Sequence, residues 1–114
     1  MSAEYELELQ QKFGDRAYRS GNLFLFDIPT AREVVVFCAT RHVGVVGLEG
    51  FLVTDSIHPL LNYIAYWDDV PDHPWQEYVK KCREYAERAL DAWAATAPDN
   101  FRVRVGMTSQ QELT

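Results

Sequence analysis

Along the chain the spacing of apolar positions changes several times, and each change marks an element. From Trp75 the apolar residues fall at Tyr78, Val79, Cys82, Tyr85, Ala86, Ala89, Leu90 and Trp93. That three-four spacing lines one face of a long helix. Pro74 suits its first turn, Asp72 or His73 its cap, and Pro98 follows its end. The run GVVGLEGFLV, 44–53, reads as a strand. Its glycines, Gly44, Gly47 and Gly50, recur at every third position, which points to bulges or to close approach of another group. LLNYIAYW, 60–67, reads as a second strand, with Tyr63, Ala65 and Trp67 on one face and Leu60, Asn62, Ile64 and Tyr66 on the other.

The remaining segments are shorter. NLFLFDI, 22–28, is an apolar run of strand length after the turn signal SGN at 20–22. TDSIHP, 54–59, reads as a loop, and DDVPDHP, 68–74, breaks the chain with two prolines. FRVRV, 101–105, alternates as a half-exposed strand with Arg102 and Arg104 on one face. The polar segment 106–114 is expected to fray.

Two segments carry conflicting signals. In EYELELQQKF, Tyr5, Leu7 and Leu9 alternate as in a strand, while Tyr5, Leu9 and Phe13 line a helix face. We favour a helix ending at Gly14. VVVFCATRH, 34–42, is β-branched, yet TARE before it matches a capping box from Thr30 to Glu33, with Pro29 at the boundary. That cap and the face Val34, Phe37 and Cys38 favour a helix. The expected order is βαββαβ, preceded by a further N-terminal helix. This is a split β-α-β-like α+β fold in one domain spanning 1–114, with its two main helices on one sheet face.

Composition sharpens this picture. With 114 residues and 47% hydrophobic content, the chain has enough apolar surface for one core. No run approaches the length of a membrane span, and MSAEYELELQ lacks the features of a signal peptide, so a cytoplasmic location is expected. The net charge of −6 disfavours nucleic acid and anionic membrane as partners and favours a basic protein. Between Arg41 and Lys80 there is no Lys or Arg, while Glu49, Asp55, Asp68, Asp69, Asp72 and Glu77 fall in that interval.

Candidate chemistry is thin. Cys38 and His42 stand one helical turn apart, but a nucleophile also needs access and an orienting group. A core cysteine and a surface histidine explain them better. His58, His73 and Asp68, Asp69 and Asp72 have the right ligand types for a metal, but not its usual spacings. Arg102 and Arg104 could hold an anion or simply protect an edge. The glycines form no phosphate loop. We expect no cofactor and no metal, and the balance leans away from an enzyme.

One surface stands out. LNYIAYWDDVPDHPW, 61–75, sets Tyr63, Tyr66 and Trp67 beside Asp68, Asp69 and Asp72. Exposed rings flanked by carboxylates are what an interface anchor requires. The run GVVGLEGF followed by LNYIAYWDD resembles segments of small bacterial proteins of toxin-neutralising role. The wider profile resembles the immunity proteins that bacteria make against their own toxins. That resemblance implies an inhibitor that blocks a basic toxin by occupation, without chemistry of its own. The expected partner-binding residues are Glu49, Tyr63, Tyr66, Trp67, Asp68, Asp69 and Asp72. The alternatives are a small enzyme or ligand-binding domain with a pocket near Gly47, His42 and His58, and a domain that forms a homodimer.

Overall fold

The computed structural model describes residues 3–21, 23–67 and 74–109. Its elements run α1 (Ala3–Phe13), β1 (Tyr18–Ser20), β2 (Leu23–Leu25), α2 (Ile28–Thr40), β3 (Gly44–Val53), β4 (Ile57–Tyr66), α3 (Trp75–Ala94) and β5 (Phe101–Thr108). A single 3-10 turn, Gly14–Arg16, follows α1. The fold is α+β.

The ambiguous segments are both helical. In α2 the cap lies one turn earlier than the sequence suggested. Asp27, not Thr30, is the N-cap, and its carboxylate accepts from the Thr30 backbone N–H at 2.8 Å. Pro29 sits inside the first turn, where its missing N–H costs nothing. Glu33 is thereby released from any capping role and accepts from Arg16 at 2.7 Å. The β-branched run is helical because Val34 and Val35 are wholly buried, and packing outweighs their weak local preference. In α3 the predicted face is buried at Tyr78, Val79, Cys82, Ala86, Leu90 and Trp93. Its N-cap is Pro74, which offers no capping side chain. Asp72 and His73 lie outside the described residues.

Three strands form an antiparallel sheet in the order β4-β3-β5, and β1 and β2 form a hairpin. Phe26 and Val103 exchange backbone hydrogen bonds of 2.8 and 2.7 Å in antiparallel pairing, which sets the hairpin beside β5. Phe26 and β3 therefore run parallel to each other with β5 between them, and α2 crosses over β5 to connect them. In the same way α3 connects β4 to β5 across β3. The strand ends differ from expectation. β4 begins at Ile57, so only residues 54–56 turn, closed by a Thr54 N–H to Ser56 carbonyl bond of 3.0 Å. β5 continues through Gly106, Met107 and Thr108, because Gly47, Val45 and Gly44 offer it pairing partners. The expected fraying there is corrected to strand up to Thr108; residues 110–114 lie outside the described residues.

The core lies between the sheet and the helices. Phe26, Val34, Val35, Leu48, Leu90 and Val103 are fully buried within it. The N-terminal helix adds Leu9 and Phe13, and Phe13 meets Phe37 edge-on at 5.7 Å. All three helices thus lie on one side of the sheet, and α1 does not cover the other side.

Candidate functional site

The three glycines of β3 each lie against an aromatic ring. A Cβ on Gly50 would stand 2.6 Å from the Phe101 ring and from Tyr63 Cβ, and one on Gly44 would stand 2.6 Å from the Tyr78 ring. Gly47 lies under Tyr66, too close for any side chain. Pairing also shifts register near these glycines, between Val45 and Gly47 against β5 and between Glu49 and Phe51 against β4. Close approach and bulging both explain the glycine spacing.

β4 sorts its side chains accordingly. Tyr63, Ala65 and Trp67 turn toward the helices. The Tyr63 ring packs on Phe101 at 4.8 Å and on Trp93 at 5.7 Å, and its hydroxyl donates to the Thr96 carbonyl at 3.0 Å. Trp67 donates its indole N–H to the Val45 carbonyl at 2.9 Å and meets Tyr85 edge-on. Both rings hold the sheet to α3. Ile64 and Tyr66 face away from the helices, at 43% and 60% exposure.

The bulge changes one pairing that alternation predicts. Four residues, 60–63, lie opposite Gly50, between the pairs Phe51–Pro59 and Glu49–Ile64. Leu60 therefore joins the core side, whereas alternation put it beside Ile64 and Tyr66. Leu61 is turned into solvent and is 81% exposed. Bulges re-aim side chains in this manner. Ile64 shares the outer side of β4 with Tyr66 and Leu61 is exposed in the bulge, and sequence reasoning named neither as a site residue. Ile64 was detectable, since it shares a face with Tyr66; Leu61 had no local signal.

The outer sheet face carries one cross-strand charge pair. Arg104 donates to Glu49 at 2.9 Å across the directly opposed β3–β5 pair. The Tyr66 hydroxyl is held neutral beyond its ordinary range by partial desolvation and by its hydrogen bond to Glu49. Glu49 thus already binds two groups of this chain. Arg102 donates to the Phe101 carbonyl at 2.8 Å. β4 itself, IHPLLNYIAY, carries no Asp, Glu, Lys or Arg. Asp68, Asp69 and Asp72 follow it in the sequence and lie outside the described residues.

The other candidates separate in space. Cys38 is fully buried, and burial pushes its thiol up to about 12. It is protonated at neutral pH and is no nucleophile. His42 is exposed at the end of α2, with a positive φ of 58°. The histidines do not converge on Gly47. His42 precedes β3, while His58 pairs with Leu52 near its far end, about 26 Å along the strand at ~3.3 Å per residue. His58 is hydrogen-bonded to Ser56 at 2.9 Å. Among the described residues no three His, Cys, Asp or Glu side chains gather as metal ligands would. No described helix is long and apolar enough to cross a membrane.

The chain matches no protein-family model, no curated protein and no solved structure.

Proposed function

We propose that this chain is a non-enzymatic protein-binding domain, most concretely an immunity-like inhibitor that occupies a basic partner protein in the cytoplasm. The docking surface is the outer side of β4. The observation that carries this reading is the exposure of three large apolar side chains, Leu61, Ile64 and Tyr66, on an edge strand without Asp, Glu, Lys or Arg. Of the devices that guard an edge strand, β4 has Pro59 and the bulge at 60–63 but no charge, and large exposed apolar groups on one strand suit a partner better than water. Tyr66 is the anchor, an amphipathic ring whose hydroxyl is already oriented by Glu49. The carboxylates of Asp68, Asp69 and Asp72, next along the chain, supply the steering charge for a basic partner. Tyr63 and Trp67 contribute indirectly, by holding β4 on the core.

The test is affinity capture from the source cells with three baits: wild type, Leu61→Asp with Tyr66→Ser, and Asp68→Lys with Asp69→Lys. One basic protein is expected on the wild type alone, with all three baits melting at nearly the same temperature. Purified, it should associate more slowly as salt rises. Retention by both double variants, or a recovered partner that is acidic, would sink the reading.

A second reading rests on the same uncharged edge. Two copies of β4 can pair without charge repulsion along the strand, giving a homodimer. Sedimentation at high micromolar concentration separates the two, since a monomer excludes self-pairing.

A further inference from the structure

A second surface, on the helical side, has different chemistry. Between α1 and α2 lies a groove of about 330 Å³. The buried rings of Phe13 and Phe37 form its floor, and Val36 is a half-exposed wall. Its lining carries two cations, Lys12 and Arg32, against one carboxylate, Glu33, although the whole chain is acidic. Arg16 lies 5.1 Å from the Phe13 ring centre and Arg41 lies 5.4 Å from that of Phe37. Lys12 reaches both rings, at 5.7 and 5.8 Å.

The arginines have carboxylate partners. Arg16 is held by Glu33, Arg32 on the rim by Asp91, and Arg41 by Glu8. Among the described residues Lys12 forms no ion pair, although it helps to stabilise the nearby Glu33 carboxylate, so the groove offers an ammonium group without a bonded partner at the mouth of an aromatic floor. An anion with an apolar body answers both features. The volume lies at the small end of ligand sites, which suits a single ring. A third ring can meet the edge-to-face pair of Phe13 and Phe37 in the same geometry.

We infer that the α1–α2 groove binds a small aromatic monocarboxylate, its carboxylate on Lys12 and its ring against Phe13, Phe37 and Val36. This site is separate from β4 and does not depend on the docking proposal.

The probe is 3-phenylpropionate, followed by amide-resolved NMR, with uncharged 3-phenylpropanamide as control. Saturable shifts are expected, confined to the residues around Lys12, Phe13, Val36, Phe37 and Thr40. Lys12→Met should weaken the carboxylate about tenfold, the effect of one charged hydrogen bond, and leave the amide unchanged. Val36→Trp fills the groove and should remove both. Lys12 is exposed and Val36 half-exposed, so both variants are expected to fold. The inference is overturned by the absence of saturation at about 10 mM, by shifts scattered over the surface, or by Lys12→Met binding as the wild type does.

Discussion

Tyr63 and Tyr66 stand on the same strand, yet the molecule uses them in opposite ways. Tyr63 is enclosed by Trp93 and Phe101 and bonded to Thr96. Tyr66 lies over Gly47 with most of its ring in water, beside Ile64 and Leu61. The two sides of β4 have similar chemistry, so composition does not distinguish them. What differs is the element behind each. The inner side has α3, and among the described elements no helix lies on the outer side. An aromatic ring on the inner side is therefore a stability residue, and one on the outer side stays open to solvent.

That contrast predicts a graded series. Trp93→Ala, on the inner side, should cost about 3–5 kcal/mol in denaturant unfolding, because it empties the space between Tyr63 and Phe101. A cost under about 1 kcal/mol would mean that the inner rings are not a packed unit. Gly50→Ala should cost about 1–3 kcal/mol, since the new methyl meets the buried Phe101 ring and the Tyr63 Cβ, which the strand backbone holds in place. Unchanged stability would show that the Gly50 contacts relax freely.

The next effect is a pH slope. An unfolded Cys38 thiol titrates near 9.0, while the buried one does not until about 12. Between those values the folded state holds the extra proton. Stability should therefore fall as pH rises through that window, by up to about 1.4 kcal/mol per pH unit from this group. Cys38→Ala should flatten the alkaline limb of a stability-against-pH curve; an identical limb would place the titration elsewhere.

The smallest effect belongs to the outer side. Leu61→Asp with Tyr66→Ser should change stability by only about 0.5 kcal/mol, because neither side chain is buried. Its consequence should appear in partner capture. A large loss of stability with no loss of binding would invert the assignment of the two sides.

Much of this arrangement was legible along the chain. The three-four rhythm from Trp75 marked α3, and the alternation through 63–67 separated Tyr63 and Trp67 from Ile64 and Tyr66. These patterns are local, set by how successive side chains project from a helix or a strand. The α2 cap was misplaced by one turn because Asp27 and Thr30 both have capping chemistry, and only the path of the chain beyond Pro29 decides between them. Tertiary structure decided the rest. Which strands flank β3, and which side of β4 receives the helices, depends on contacts between distant segments. The bulge opposite Gly50 is the sharpest case: it turns Leu60 inward and Leu61 into solvent, against simple alternation. The glycine spacing in β3 predicted close approach or bulging, but the rings of Tyr66, Phe101 and Tyr78 come from β4, β5 and α3. Periodicity is written in neighbouring residues; the choice of face is made by long-range packing.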